Sequence, residues 1–248
     1  MPAPAFKTVW DESRLESPHS QPDKAKRVQA MFDEIAPTYE LVNRVLSAGR
    51  DAYWRRRAVA MAEINPNDRV LDLACGTGNF ARAFASAGPE VIVGSDFAEQ
   101  MLALAASRNE AKCRWCRGDA LALPFADASF TVVSCAFGVR NFQRLSAAFG
   151  EMHRVLKPGG RVVILEFTMP TSRVLGPLYS FYFRSILPRA ARLISRDRSG
   201  AYQYLPKSVG SFIDADGMIQ ELKSAGFAKA DYKTLTVGIV TVYIARKA

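Results

Sequence analysis

A chain of 248 residues, 49% hydrophobic and 23% charged, is long enough for one domain with a sizeable core. No apolar run reaches the ~18 residues that span a bilayer, which excludes an integral membrane helix. The balance of 33 Lys+Arg against 24 Asp+Glu gives a formal charge of +9, pointing to an acidic partner such as nucleic acid, an anionic lipid surface or a negatively charged small molecule.

The opening stretch, MPAPAFKTVWDESRLESPHSQPDKAK, has no apolar segment of the kind a secretory signal needs. It is polar and punctuated by proline, so residues 1–23 are expected to be flexible. Over 24–62 the apolar spacing is helical. Val28, Met31, Phe32 and Ile35 fall on one stripe, Pro37 interrupts it, and Tyr39, Val42 and Leu46 continue it. This region reads as helices capping the domain that occupies 24–248. Its end carries a first arginine cluster, Arg50, Arg55, Arg56 and Arg57.

From residue 69 the texture changes. RVLDLA and EVIVGSD are short β-branched runs, each followed by a helical stretch. CRWCRGDA, SFTVVSCAFG, a helix through LSAAFGEMHRVL and the strand GRVVILEF continue the alternation. Strands alternating with helices imply a parallel sheet covered on both faces. Residues 170–212 break the rhythm with aromatic and basic residues, and are expected to form a helical insertion after the fifth strand. They hold a second arginine cluster, Arg184, Arg189, Arg192, Arg196 and Arg198. DADGMIQELKSAGF then gives a helix stopped by Gly226. DYKTLTVGIVTVYIARK gives two strands about Val237-Gly238. A parallel sheet that ends in an antiparallel hairpin fits the class I methyltransferase fold better than a dinucleotide dehydrogenase.

The four cysteines stand at 75, 113, 116 and 135. Cys113 and Cys116 have zinc-knuckle spacing, but there is no second CxxC and the only histidines are His19 and His153, so reduced thiols and no metal are expected.

The chemistry concentrates in RVLDLACGTGNFARAF. Gly76 and Gly78 sit where the first strand turns into its helix, where glycine permits positive φ and close approach of a ligand. Asp96 lies 20 residues after Gly76, placed to accept from ribose hydroxyls. Those features alone do not separate a nicotinamide dinucleotide from S-adenosylmethionine. Asp72, four residues before Gly76, would repel a pyrophosphate and attract a cationic amino group. Asp119, after the third strand, is placed for an adenine amino group. Together with the hairpin ending and the RVLKPGGRVVILEF segment, these tilt the reading to S-adenosylmethionine.

At FGVRNF (137–142), RVLKPGGRVVILEF (154–167), YQYLPKSVGSF (202–212) and LTVGIV (235–240), over roughly residues 24–247, the sequence resembles the ubiquinone/menaquinone biosynthesis C-methyltransferase family. The resemblance implies a class I S-adenosylmethionine-dependent methyltransferase: a Rossmann-like seven-stranded sheet with its last strand antiparallel, N-terminal helices and a helical insertion after strand five. The implied reaction is methylation of a ring carbon on a polyprenylated quinol, either demethylmenaquinol or a ubiquinone precursor. The alternative is another lipid or small-molecule acceptor. The family's donor contacts fall on Thr77, Asp96, Asp119 and Ala120, and on Ala136 where a serine is usual. Cys75 and Asn79 also depart from the family's glycine and aspartate, and the missing carboxylate at 79 weakens the polar contact at the methionine end.

For the acceptor, Arg140 is expected to stabilise a phenolate and Asn141 to orient the ring, with an ion pair that holds the loop as the other reading of Arg140. Tyr39 is expected to help close the site, and Tyr202 and Tyr204 to line the acceptor pocket. His153 reads as structural. Nucleic-acid binding would need a continuous basic stripe, whereas these arginines form two patches interleaved with apolar residues. A cytoplasmic protein peripherally attached to the inner membrane through segment 178–198, possible as a homodimer, is expected instead.

Overall fold

The computed structural model describes residues 9–108, 112–173, 175–195, 197 and 199–248. The chain runs α1 (Glu12–Leu15), α2 (Lys24–Ile35), α3 (Tyr39–Leu46), α4 (Arg50–Met61), β1 (Arg69–Leu73), α5 (Asn79–Ala85), β2 (Val91–Asp96), α6 (Glu99–Ser107) and β3 (Cys113–Arg117). It continues with β4 (Phe130–Ala136), α7 (Leu145–Val155), β5 (Leu156–Phe167), α8 (Leu175–Phe181), α9 (Leu187–Ser195), α10 (Ala201–Gly210), α11 (Ala215–Ser224), β6 (Lys229–Leu235) and β7 (Val240–Arg246). A π-helical turn, Tyr182–Ile186, joins α8 to α9. The 170–212 insertion is helical, as its composition implies.

The seven strands form one sheet in the order β3-β2-β1-β4-β5-β7-β6, and only β7 runs against its neighbours. Successive side chains on a strand point to opposite faces, and the central strands use both. Leu71, Val133 and Ile164 enter one core with Phe149 and Met152 of α7. Their neighbours Val70, Val132 and Val163 enter the other with Trp54 of α4 and Phe84 of α5. This two-sided burial is why these strands read as continuous apolar runs rather than alternating ones. The strand order reverses between β1 and β4, so a crevice opens beyond their carboxyl ends, where open α/β sheets take their ligands.

One expectation fails here. Residues 9–23, taken as flexible from composition, are packed. Trp10 is fully buried and stacks on Tyr204 with ring centroids 4.3 Å apart, and its backbone N donates to Ser199 O at 3.0 Å. Val9, Trp10 and Leu15 join Val28, Met31 and Ile35 of α2 and Tyr202 and Tyr204 of α10 in a third core. Two large apolar side chains within an otherwise polar segment anchor it. Residues 1–8 lie outside the described residues. The four cysteines are free thiols. Cys113 and Cys116 sit three apart on a strand and so face opposite sides, and no cluster able to hold a metal occurs among the described residues. His153 packs edge-on against Phe227, at a centroid distance of 5.2 Å, away from the crevice.

Of the first arginine cluster, Arg50, Arg56 and Arg57 are exposed while Arg55 turns inward. Arg184, Arg189 and Arg192 are exposed on the insertion; Arg196 and Arg198 lie outside the described residues. No described helix is long and apolar enough to cross a membrane.

Candidate active site

The turn after β1 begins as a backbone problem. Gly76 has φ +55°, and a Cβ added there would meet nothing within 4 Å, because the space beside it belongs to the crevice. Asp96, at the end of β2, braces this turn: its Oδ2 accepts from Gly76 N at 2.7 Å and its Oδ1 from Ala98 N at 2.8 Å. Burial raises the Asp96 carboxyl above its ordinary pKa, against the hydrogen bonds from Ala98 and Gly76. Each oxygen keeps a second lone pair free for a ribose hydroxyl.

Gly78 corrects a sequence expectation. It does not line the crevice. A Cβ there would lie 2.4 Å from the Trp115 ring, which also fills the space above Gly94. Glycine at 78 therefore makes room for the CRWC tryptophan and not for a ligand.

Asp72 is wholly buried on β1, with Oδ1 accepting from Ser134 Oγ at 2.8 Å and Oδ2 without a hydrogen-bond partner. Burial pushes its carboxyl up to about 7. It lines a small polar recess with Cys75, Gly76, Thr77 and Asn79. An orphaned buried carboxylate oxygen beside such a recess is what a ligand ammonium would satisfy.

Thr77 is engaged differently from the expectation. Its Oγ1 donates to Glu40 Oε1 at 2.5 Å, and Asn79 Nδ2 donates to the same oxygen at 2.9 Å. Burial would raise Glu40, but hydrogen bonds from Arg108, Thr77 and Asn79 hold it below the ordinary range. Glu40, on α3, thus returns a carboxylate to the place where position 79 lacks one.

The remaining donor-site expectations meet in one cavity. Gly76, Asp96, Asp119, Ala120, Ala136 and Asn141 all line it, and α2 covers it with Ala25, Val28, Gln29 and Phe32. Asp119 also shapes its own turn, with Oδ1 accepting from Leu121 N at 2.9 Å. Orphaned Asp72, the open flank of Gly76 and the half-buried Asp96 together fit a nucleoside that carries a cationic amino-acid tail.

A second cavity of about 350 Å³ lies against the first. It is aromatic, walled by Tyr39, Phe137, Phe167, Tyr182, Tyr202 and Phe183 among others. Phe32, Tyr39 and Phe137 belong to both cavities and form their common wall. Phe137 has φ +58°, unfavourable for an aromatic residue and costing roughly 1–3 kcal/mol. This turn directs the Phe137 carbonyl at Arg140 Nη1, 2.6 Å away.

Arg140 reaches the acceptor cavity, but not as an isolated cation. Its Nη1 lies 2.7 Å from Oε1 of Glu166, which is only 1% exposed, while its Nε has no partner. The ion pair forms while the residue also lines the cavity. Asn141 Oδ1 accepts from the Tyr204 hydroxyl at 3.0 Å, so Tyr204, stacked on Trp10, chiefly orients Asn141. Tyr202 and Tyr204 both line the cavity. Behind this loop, Lys24 is 2% exposed and its Nζ donates to Arg140 O at 2.9 Å and Phe142 O at 2.7 Å. Burial, with the nearby Arg140 charge, lowers its pKa to about 8.

Sequence reasoning missed Glu40, Lys24 and Glu166. Glu166 had a readable signal, a carboxylate inside the otherwise apolar strand VVILEF. A charge at a strand position buried on both faces needs a partner. Glu40 and Lys24 look like ordinary charges on helix faces.

The sequence model of the ubiE/COQ5 methyltransferase family matches residues 20–247. A demethylmenaquinone methyltransferase of Deinococcus radiodurans is 48% identical over 229 residues, covering 91% of this chain and 94% of that protein. One of Thermus thermophilus is 45% identical, covering 86% and 98%. Among solved structures, a methyltransferase of Thermotoga maritima described as a possible histamine N-methyltransferase aligns with a TM-score of 0.63 at 18% identity, over 89% of this chain and 99% of that one. That likeness establishes the fold.

Proposed function

The chain belongs to the ubiE/COQ5 methyltransferase family, and from that footing we propose that it methylates a ring carbon of a polyprenylated quinol with S-adenosylmethionine as donor. The names of the relatives favour demethylmenaquinol as acceptor. The observation that carries the reading is the edge shared by the two cavities: Phe32, Tyr39 and Phe137 lie between a carboxylate-lined recess and an aromatic one. A donor in one and a flat ring in the other would meet along this shared edge, where in-line transfer needs direct contact.

When bound, the donor supplies an electrophilic methyl on a sulfonium that departs as a neutral thioether. Everything else is positioning and electrostatics. Asp72 Oδ2 takes the donor's ammonium, Asp96 the ribose hydroxyls through its unused lone pairs, and Asp119 the adenine edge. α2 roofs the donor cavity against water. On the acceptor side the Arg140 guanidinium stabilises the ring oxygen as its proton leaves, which raises electron density on the adjacent carbon. Arg140 itself stays protonated, since guanidinium titrates above ~12. The new C–C bond forms as the C–S bond breaks; the ring carbon then loses its hydrogen as a proton to bulk water as aromaticity returns, and the ring oxygen takes back the proton it gave up, so one proton is released per methyl transferred. Asn141, fixed by Tyr204, orients the ring.

The prenyl tail is reached at a membrane surface. Leu178 and Phe181 are each 64% exposed and Leu193 83%, beside exposed Arg184, Arg189 and Arg192. Leu41 and Val45 on α3, which packs against α9, widen this apolar and basic face. Such a mixture suits anionic lipid. Vesicles with anionic lipid are expected to carry the protein upward in flotation and neutral vesicles not to; Arg189→Glu with Arg192→Glu should abolish flotation, and unchanged flotation removes this face from the account.

The decisive assay incubates the protein with methyl-labelled S-adenosylmethionine and either reduced demethylmenaquinone or a reduced benzoquinone precursor. Label is expected on the naphthoquinol ring. A protein that binds S-adenosylhomocysteine yet labels neither ring overturns the acceptor assignment.

A further inference from the structure

We propose that Asp51 and Arg55 form a second polar pole of the acceptor cavity, which holds the ring oxygen opposite the one at Arg140 as an undissociated hydroxyl. The inference rests on the quinol reading above and adds which groups recognise the far side of the ring.

An i,i+4 Asp–Arg pair on a helix is ordinarily a solvated surface feature. This one is not. Arg55 is 8% exposed, its Nη1 lies 2.6 Å from Asp51 Oδ2, and both residues line the aromatic cavity. Arg50, Arg56 and Arg57 on the same helix are exposed. Ser47 Oγ donates to Asp51 Oδ1 at 3.1 Å, fixing the carboxylate from the α3 side.

The pair mirrors Arg140 about an aromatic stack. Phe137 and Phe167 are stacked with centroids 4.4 Å apart. The Arg55 guanidinium lies 5.6 Å from the Phe137 centroid, and that of Arg140 lies 5.7 Å from the Phe167 centroid. A flat ring entering this cavity meets one guanidinium beside each member of the stack.

The two poles differ in what they offer. Glu166 lies behind Arg140 and does not line the cavity, so there the wall presents only N–H donors, which suit an oxygen that has lost its proton. At the other pole the carboxylate itself is on the wall. Burial would raise Asp51, but the hydrogen bond and charge of Arg55 hold it below the usual range. An ionised carboxylate only accepts, so it calls for a ring O–H. A quinone carbonyl or a methoxy group in that position would set lone pairs against it.

The division of labour follows. One hydroxyl ionises at Arg140 and activates the neighbouring carbon. The other stays protonated at Asp51. The cavity thereby takes a ring with oxygens at opposite ends, in the reduced state.

The test compares two tail-matched acceptors, a 1,4-dihydroxynaphthalene and its congener with the far oxygen methylated. Wild-type kcat/KM is expected to favour the dihydroxy ring by roughly 10- to 100-fold, the worth of a hydrogen bond to a charged group. Asp51→Ala should reduce that ratio to within about three-fold, and Asp51→Asn, which keeps an acceptor oxygen, should restore part of it. S-adenosylhomocysteine affinity, measured in parallel, reports that each variant is folded. A ratio that is unchanged in Asp51→Ala, or equal rates on the two acceptors in wild type, overturns the second pole while leaving the quinol reading intact. A wild type that methylates neither ring while binding S-adenosylhomocysteine overturns both.

Discussion

Glu166→Leu is expected to lose about 3–5 kcal/mol of stability, whereas the double variant Arg140→Met/Glu166→Leu should regain roughly half of that loss and still transfer methyl with a kcat about 10²–10³-fold below wild type. The reason lies in what each change leaves behind. Removing Glu166 strands the Arg140 guanidinium, 6% exposed, in an aromatic wall. Removing both charges leaves an apolar contact, which buried pairs tolerate well. Recovery is partial because Glu166 also accepts from the backbone N–H of Phe167 at 2.9 Å, and an unmet buried N–H costs about 1–3 kcal/mol. Arg140→Met alone removes the group that meets the developing ring oxyanion, and a fall in kcat of about 10²–10³ is the expected scale. Denaturant unfolding of the four proteins gives the coupling energy, and labelled transfer gives the activity. If the double variant is as unstable as the summed singles, the two side chains act independently. If it methylates at the wild-type rate, Arg140 has no part in the chemistry.

Asp72→Asn is expected to make the unliganded protein more stable and the donor site much weaker. With its carboxyl raised to about 7 by burial, the native state holds a proton that the unfolded chain, near 3.8, has released. Native protein therefore binds more protons between those limits, and stability falls as pH climbs from about 4 to 7. The full penalty is present above 7, with an upper bound of ~4 kcal/mol. Asparagine keeps an acceptor for Ser134 Oγ and carries no charge to bury, so the slope should vanish. The same exchange removes the partner of the ligand ammonium, at an expected cost of roughly 10- to 100-fold in affinity. In wild type, affinity for S-adenosylhomocysteine should rise with pH through about 7 as Asp72 ionises. Thermal unfolding at pH 5 and 8, with calorimetric titration of the nucleoside at both, reads all three effects. Affinity independent of pH, or an unfolding curve unchanged by the substitution, would remove Asp72 from the donor site.

The fold was legible because sheet and helix periods leave marks that no partner residue is needed to read. β-branched runs, the Gly76 turn, the Pro37 break and the Gly226 stop each act within a few residues. Asp72, Asp96, Asp119 and Arg140 were legible for a related reason: each stands at a fixed offset from a strand end, and strand ends face the crevice. What sequence hid was pairing at long range. Arg140 meets Glu166 26 positions later, Thr77 meets Glu40 37 positions earlier, and Lys24 reaches the carbonyls of a loop 116 positions away. Nothing local at Glu40 or Lys24 announces such a partner. Gly78 misled because a glycine in a phosphate-loop pattern and one that accommodates a tryptophan look alike until Trp115 is placed. Trp10 misled because composition averages over a window, while burial is decided by single large side chains.

The packing of Trp10 carries a consequence for how the enzyme comes into being. Its backbone pairs with Ser199 and its ring with Tyr204, so this segment finds its seat only once the chain through α10 has been made. Contacts so distant in sequence close slowly, since a long loop's entropy must be spent before they form. A chain that stops short of residue 199 leaves Trp10 without its backbone partner, and the third core between α2 and α10 cannot close.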